Sequence, residues 1–270
     1  MSGYSIFDGT MADMTFPEVA AAARAGAVAL WGMGVIEQHG PHLPLATDVY
    51  VPHATLVAAR KLLAERGIAS VIVPAFYWGV NHVTGRYPGS FEVRPEVMIE
   101  LMKDVLRSLA KDGFKRVFCL SGHGDAAHNR TLFEGLRQGS AAAEIEGAVV
   151  LSPALAERMG YDKGDRHLAL TRPAPSPGGI IDVHAGDWET SIVQATCPDL
   201  VREEARRGLA PTSFTSDDLA EWRQGQEATL RKAPAGYVGD PAAANPQRGT
   251  ALIAEEARLV ADAIAEKLGR

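Results

Sequence analysis

Glu37, His39 and Asp48 place two carboxylates and an imidazole within one short segment, residues 34–48 (GVIEQHGPHLPLATD). Residues two apart in an extended chain point the same way, so the side chains of Glu37 and His39 can converge on one point. Asp48 comes just before a helical pattern, where an aspartate can either cap the helix or face that same point. Carboxylate oxygens and imidazole nitrogens on a rigid loop suit a divalent metal such as Zn²⁺ or Mn²⁺.

His123 and Asp125 form a second group of ligand-type residues in the segment SGHGDAAHN, residues 121–129. His39 and His123 each follow a different predicted strand, and adjacent strand ends of an open α/β sheet can bring such residues together. A single histidine is more often structural than a ligand, and a helix cap or a turn is an equally good interpretation of Asp48 or Asp125 alone. Taken together, the two segments predict a set of histidines and carboxylates suited to two metal ions.

Alternating strands and helices are predicted to position these residues. Apolar runs rich in β-branched residues predict four parallel strands, at residues 27–35, 69–76, 116–120 and 147–151. Helical spacing of apolar residues predicts helices at residues 15–26, 49–67, 95–113, 129–138 and 250–268, and in the segment 184–200 after an initial turn. The fold class that follows is α/β, with a doubly wound, mostly parallel sheet flanked by helices in one domain of residues 1–270.

Three long segments interrupt this alternation. Residues 77–93 mix glycine with aromatic residues and are too long for a tight connection, so they are predicted to form a functional loop. Residues 160–179 are polar and rich in proline and glycine, which suits an interdomain linker or a surface loop. The surface loop is favoured over the linker, because His184, which follows this segment, is expected to lie near the other ligand-type residues. Residues 202–233 are charged and are predicted to be peripheral.

The composition of the chain limits the classes of protein to which it can belong. The chain has 270 residues, of which 46% are hydrophobic, enough for a sizeable core. The net charge is −6 and no cluster of lysine and arginine stands out along the chain, which argues against a nucleic-acid partner. No apolar run approaches the ~20 residues of a membrane span, and the N-terminus lacks the pattern of a secretory signal. Two cysteines make no disulfide framework, so we expect a reducing cytoplasm.

The first segment resembles the signature of the creatininase (creatinine amidohydrolase) family, whose members carry an E-x-H-G-P-H-L-P-L-x-T-D run. The matching residues are Glu37, His39, Gly40, Pro41, His42, Leu43, Pro44, Leu45, Thr47 and Asp48. The segments SGHGD and HAGDWETS and a late GDP…G loop extend the resemblance over most of the chain. It implies a creatininase-like fold, a metal-dependent amidohydrolase, and a homo-oligomer, since relatives are commonly hexamers.

The resemblance also implies a set of site residues. Two divalent ions, Zn²⁺ or Mn²⁺ with Fe²⁺ as a further option, would bind here. One would be surrounded by Glu37, Asp48 and His123, the other by His39, Asp48 and Asp125, with Asp48 as the bridge. His184 would be the catalytic proton donor, and Glu189 would orient the site without binding metal. His42 is expected to pack within its loop, and His82 and His128 have structural or catalytic roles with equal weight.

Four departures from creatininase concern the substrate. Creatininase has a glutamate where this chain has Asp125, and many relatives have N-G-H-G-G-N where this chain has SGHGD. Val183 replaces the glutamate that precedes the catalytic histidine of creatininase, and residues 151–181 contain no tryptophan where creatininase lines its substrate pocket. These differences leave the metal ligands in place and argue against creatinine as the substrate.

The predicted activity is hydrolysis of a C–N bond in a small amide, cyclic amide or formamide by a metal-bridging hydroxide. His184 would pass a proton to the departing nitrogen. No Gly-x-Ser-x-Gly elbow indicates a serine nucleophile. Two alternatives stay open: the same metals could cleave a lactone or a cyclic ketone such as a keto-inositol, or the chain could be a metal-holding binding protein without turnover.

Overall fold

Parallel strands form the central sheet of this protein, whose computed structural model describes residues 5–173 and 179–270. They are β1 (Val28–Met33), β2 (Ser70–Phe76), β3 (Arg116–Ser121), β4 (Glu146–Leu151) and β5 (Leu168–Leu170). Their order is β2-β1-β3-β4-β5, and every neighbouring pair is parallel. The order reverses at β1, because β2 lies on one side of it and all later strands on the other. Open α/β sheets bind ligands at such a reversal, beyond the carboxyl ends of the strands.

Strand β1 is buried on both faces, as its unbroken apolar sequence predicts. Ala29, Trp31 and Met33 pack into one hydrophobic core, whereas Val28 and Leu30 pack into a second core. Successive side chains of a strand point to opposite faces, so the two cores lie on opposite sides of the sheet. Helices must therefore cover both sides.

The helices are α1 (Phe16–Arg24), α2 (Thr47–Glu65), α3 (Pro95–Lys111), α4 (Ala126–Ala143), α5 (Pro153–Met159), α6 (Asp187–Thr196), α7 (Glu203–Arg207), α8 (Ser216–Trp222), α9 (Gln226–Lys232) and α10 (Pro246–Lys267). Helices α3 and α4 pack together against the first core, through side chains such as Met102 and Leu136. Helices α2 and α10 cover the second core, through Leu56 and Val260 among others. The predicted doubly wound α/β fold is confirmed.

Two segments differ from the prediction. Residues 160–179 are not entirely loop, because Leu168–Leu170 pairs with the edge of β4 as a fifth strand. Three residues are too few for a periodic pattern, and polar residues precede them, so the sequence gives no signal for this strand. Residues 174–178 of the predicted loop lie outside the described part of the chain. Residues 202–233 are not merely peripheral, because they form α7, α8 and α9 and bury Trp222.

The cysteines agree with the sequence prediction. Cys119 is buried in β3 and Cys197 is half-buried, and both are free thiols. Among the helices that the structure describes, none is both long enough and apolar enough to cross a membrane.

Candidate metal centre

The carboxyl ends of β1 and β3 carry the ligand-type residues. Glu37 and His39 lie in the loop after β1, and His123 lies just after β3. Because β1 and β3 are hydrogen-bonded neighbours, these loops leave the sheet side by side. Asp48 is the second residue of α2, which begins two residues earlier than the helical pattern predicts and so carries the carboxylate towards the strand ends.

Two glycines let the backbone of Asp48 approach the strand ends closely. A Cβ atom at Gly34 would lie 2.2 Å from the carbonyl oxygen of Asp48, and one at Gly122 would lie 2.3 Å from that same oxygen. Real Cβ atoms do not tolerate such distances, so any side chain at either position would push the start of α2 away. The position of the Asp48 carboxylate therefore depends on both glycines.

Glu37, Asp48 and His123 form the first group of potential ligands, with one atom from each within 4.8 Å of the others. The Nδ1 atom of His123 lies 3.1 Å from Oε1 of Glu37 and 2.9 Å from Oδ2 of Asp48. All three residues are buried. The hydroxyl of Thr84 donates a short hydrogen bond to Oε2 of Glu37, which fixes the orientation of that carboxylate.

His39, Asp48 and Glu189 form the second group, so Asp48 belongs to both. The Nε2 atom of His39 lies 3.1 Å from Oδ1 of Asp48 and 3.7 Å from Oε2 of Glu189. Glu189 is in the first turn of α6, and its Oε2 atom accepts a hydrogen bond of 2.5 Å from the backbone of Ala185. Ala185 has a φ of 51°, which is unusual for a residue with a side chain.

Asp125 lies outside these groups, although the sequence predicts it as a ligand. Its Oδ1 atom caps α4 by accepting from the backbone of Ala127, at 2.6 Å. Its Oδ2 atom accepts from the backbone of His82 and of Val83, at 2.8 and 2.9 Å, and lies 4.0 Å from Nε2 of His123. The structure therefore uses Asp125 to fasten the loop of residues 77–93 to the start of α4.

Electrostatics of the cluster are dominated by its three carboxylates, of which Glu37 and Asp48 are buried and Glu189 is partly buried. Burial works to lower the pKa of His39, but the charges of Asp48, Glu189 and Glu37 outweigh it and raise that pKa to about 10. The pKa of His123 is raised for the same reason, against burial, by Glu37 and Asp48. Burial raises the pKa of Glu189 to about 7, despite the opposing charge of His39. The carboxylates thus attract positive charge, which the two histidines supply as protons.

A pair of divalent cations fits this donor set. Oxygen and nitrogen ligands from carboxylates and imidazoles suit Zn²⁺ and Mn²⁺. The buried Oδ2 atom of Asp48 and the buried Nε2 atom of His123 have no partner in hydrogen-bonding geometry among the described residues. Buried polar atoms are rarely left without a partner, so the Oδ2 atom of Asp48, which lies within the first group, favours a bound cation there.

His184 approaches the cluster from the segment before α6. Its Nε2 atom lies 2.9 Å from the backbone oxygen of Gln38, and its Nδ1 atom lies 3.8 Å from Oε1 of Glu37. The same Nε2 atom lies 3.0 Å from the side-chain nitrogen of Gln38, so the contacts of Nε2 are compatible with either tautomer. In the tautomer with the proton on Nε2, the ring donates to the backbone oxygen of Gln38 and the lone pair of Nδ1 faces the cluster. Burial, together with the charge of His39, lowers the pKa of His184 to about 3. At neutral pH this ring can therefore take up a proton before it donates one.

A cavity of about 590 Å³ contains Glu37, Asp48, Glu189 and His184 in its lining. Trp222 also lines it, with its ring 5.8 Å from that of His184. Trp222 comes from the segment predicted to be peripheral, and no sequence signal placed it here. Another cavity, of about 500 Å³, lies at the amino ends of β3 and β4 and includes no residue of these ligand groups.

The remaining histidines near the site have structural contacts. His42 is buried and forms a 2.9 Å hydrogen bond from its ring to the hydroxyl of Thr190 in α6, so it packs against that helix as well as within its own loop. His82 bonds through its ring to the backbone oxygen of Gln224, at 3.0 Å. His128 is buried edge-on against His123, with ring centroids 5.2 Å apart.

Sequence comparison assigns the chain to a family. The model of the family described as creatinine amidohydrolase matches residues 12–264. The chain belongs to the creatininase family. It is similar to the creatinine amidohydrolase of Pseudomonas putida, with 24% identity over 269 residues and 97% of each chain covered. It is also similar to the mycofactocin precursor peptide peptidase of Mycobacterium tuberculosis (strain CDC 1551 / Oshkosh), with 30% identity over 229 residues that cover 82% of this chain and 78% of the relative.

The fold comparison agrees with this assignment. The solved structure named "Creatininase Mn" superposes with a TM-score of 0.70 at 20% identity, covering 96% of this chain and 98% of that one. Family membership makes the protein a metal-dependent amidohydrolase, as the resemblance predicted.

Proposed function

We propose that this creatininase-family enzyme hydrolyses a C–N bond in a small amide, cyclic amide or formamide with two divalent metal ions. The observation that carries the proposal is the shared carboxylate of Asp48. One of its oxygens lies 3.1 Å from His39 and the other 2.9 Å from His123, so it belongs to both ligand groups. A carboxylate with one oxygen in each of two adjacent groups is the arrangement that a binuclear site requires.

In this proposal Glu37, Asp48 and His123 hold one ion, and His39, Asp48 and Glu189 hold the other. Glu189 replaces Asp125 in the ligand set, because both oxygens of Asp125 already accept backbone hydrogen bonds. When bound, Zn²⁺ or Mn²⁺ would supply Lewis acidity that lowers the pKa of a water molecule and polarises a carbonyl group.

A residue of the protein transfers the proton in this proposal. Neutral His184 presents the lone pair of Nδ1 to the cluster, and its hydrogen bond to the backbone of Gln38 fixes the ring. We propose that Nδ1 accepts a proton from the attacking water and then passes it to the departing nitrogen. The second step matters because an unprotonated amide nitrogen is a poor leaving group at neutral pH. Trp222 packs beside the ring and keeps bulk water from it.

The nature of the relatives supports cleavage of an amide. Creatinine amidohydrolase and the precursor peptide peptidase are both named for C–N bonds, although their substrates differ in size. Val183, which lines the cavity in place of the glutamate of creatininase, argues for a substrate other than creatinine.

We further propose that the chain associates with copies of itself, with a hexamer as the form that the resemblance implies. Tyr77, Trp78 and Phe91 support this, because they form an exposed cluster of aromatic rings on the loop of residues 77–93. Large aromatic side chains in one exposed patch commonly mark an interface. Light scattering at micromolar concentration tests it, and a monomer would contradict it.

A substrate screen tests the proposed activity. Purified protein loaded with Mn²⁺ or Zn²⁺ is assayed against a panel of formamides, cyclic amides, lactones and cyclic ketones. We expect hydrolysis of at least one amide and little turnover of creatinine. Asp48→Asn should abolish this hydrolysis, because the asparagine side chain cannot supply the shared negative charge. Turnover of lactones or ketones alone would overturn the assignment to C–N bonds.

A further inference from the structure

Three arginines line the cavity that contains the metal-ligand cluster. They are Arg130 in α4, Arg158 near the end of α5 and Arg223, which directly follows α8. They are far apart in the sequence, and we refer to the three together as the rim. Their side chains are partly exposed, whereas Glu37 and Asp48, which line the same cavity, are buried.

These arginines have no carboxylate partner within ion-pair distance in the described part of the chain. Other surface arginines do have one, such as Arg116 with Glu146 at 2.7 Å and Arg137 with Glu134 at 2.6 Å. Arg158 instead donates one hydrogen bond, to the backbone oxygen of Gly124 at 2.9 Å, which leaves most of its guanidinium donors unused.

The arginines also repel one another. Burial lowers the pKa of Arg158, and the nearby charge of Arg223 lowers it further, against the smaller opposing effect of the Asp125 carboxylate. Burial alone lowers the pKa of Arg223. Two partly desolvated guanidinium groups beside each other are unfavourable unless an anion binds between them. Their repulsion is local, because the net charge of the whole protein is −6. The rim is therefore prepared for a negatively charged group.

We propose that the substrate of this site is an anionic amide, whose carboxylate or phosphate group binds Arg158 and Arg223, with Arg130 adding charge, while its amide lies at the metal-ligand cluster. This inference rests on the proposed function, since it names the class of substrate for the same site. Guanidinium groups bind carboxylates and phosphates through paired, charge-assisted hydrogen bonds. The arginines would orient the substrate along the cavity as well as attract it.

A matched set of formamides tests the proposal and separates the two anions. N-formylethanolamine is the neutral compound, N-formylglycine carries a carboxylate, and N-formyl-O-phosphoethanolamine carries a phosphate; pyroglutamate and 2-pyrrolidinone form a cyclic pair. We expect kcat/KM to be at least about tenfold higher for an anionic compound than for its neutral partner. The anion that gives the larger ratio is the one the rim selects. Equal kcat/KM across each pair would overturn the proposal.

The double variant Arg158→Gln/Arg223→Gln assigns that preference to the rim. We expect it to reduce the anionic-to-neutral ratio towards one. The control is Arg24→Gln/Arg202→Gln, which removes the same charge from two exposed arginines that do not line this cavity. The control should keep the wild-type ratio. Equal loss in both variants would show a general charge effect and contradict the proposal.

A binding measurement keeps the inference separate from the proposed activity. Inorganic phosphate is titrated into the metal-loaded protein by calorimetry. We expect its Kd to rise about tenfold or more in the Arg158→Gln/Arg223→Gln variant and to stay unchanged in the control variant. Equal affinity in wild type and both variants would mean that the metals alone hold phosphate, and the inference fails. If no amide is hydrolysed but this binding difference is found, the proposed function fails and the anion site stands.

Discussion

Replacing Glu189 by glutamine distinguishes the two possible ligand sets. The amide has the shape of a protonated carboxyl group, and burial already raises the pKa of Glu189 to about 7. The metal-free protein should therefore tolerate Glu189→Gln well. Metal binding should not, because the carboxylate lies 3.7 Å from the ligand nitrogen of His39 and would face the ion in charged form.

The magnitude follows from the attraction between carboxylate and ion that the amide would remove. Even two unit charges about 4 Å apart, which is further than a metal ion lies from its ligand, interact with ~4 kcal/mol at an effective dielectric constant of ~20. The amide oxygen of glutamine can still bind a cation weakly, and water can approach the vacated side. We therefore take a net loss of ~3 kcal/mol, which is roughly a 100-fold weaker affinity for one of the two ions. The other ion should bind almost as in wild type.

Competition with a chromogenic chelator, followed by elemental analysis after dialysis, measures this loss. The matched control is Asp125→Asn. Asparagine is as good a helix cap as aspartate, so α4 should persist. Its NH2 group cannot accept from the backbone of His82 and Val83, so the loop of residues 77–93 should loosen, but both ions should remain. The reasoning fails if Asp125→Asn loses an ion while Glu189→Gln retains two, since that result would return Asp125 to the ligand set.

Three further predictions concern neighbouring residues. His184→Gln should lower kcat by ~10²–10⁴-fold with both ions retained, and unchanged turnover would remove its role in proton transfer. Gly34→Ala should displace Asp48, cost ~1–3 kcal/mol in unfolding free energy and lower the metal content; normal content would refute the close approach. The pKa of His39 is raised from 6.5 to about 10, so its stabilising charge is present below pH 6.5 and lost as pH rises through 10. Metal-free protein should thus melt at a lower temperature at pH 10 than at pH 7, and a higher one would contradict this.

Most of the fold could be predicted because its signals are local. The apolar run of β1 and the helical spacing of α3 reflect side chains that pack on the sheet directly above or below their own backbone. Strand β5 escaped prediction because it has three residues and depends on pairing with β4. Helix α4 begins at Ala126, three residues earlier than predicted, because Asp125 caps it.

The part of the candidate site that lies at the ends of neighbouring strands could be predicted from the sequence. The structure brings together Glu37, His39, Asp48 and His123, which the first two motifs contain. Asp125 is two residues from His123, yet its carboxylate accepts hydrogen bonds from backbone amides. The spacing of the two residues in the sequence does not show which partner this carboxylate takes. Glu189 reaches the cluster from α6, far along the chain.

The rim of the cavity could not be predicted at all. Trp222, Arg158 and Arg223 come from short helices that carry no motif, and their meeting depends on how those helices pack over the sheet. A search for runs of basic residues misses this group, because Arg130, Arg158 and Arg223 are far apart in the sequence.

The most direct test of a binuclear hydrolase is a metal titration of the metal-free enzyme. Bound Mn²⁺ or Zn²⁺ and hydrolysis of the best amide from the screen are measured on the same samples. Activity should appear as the bound metal approaches two ions per chain, and Asp48→Asn should lose both the metal and the activity. Full amide hydrolysis by metal-free protein, or maximal activity with a single bound ion, would contradict the account.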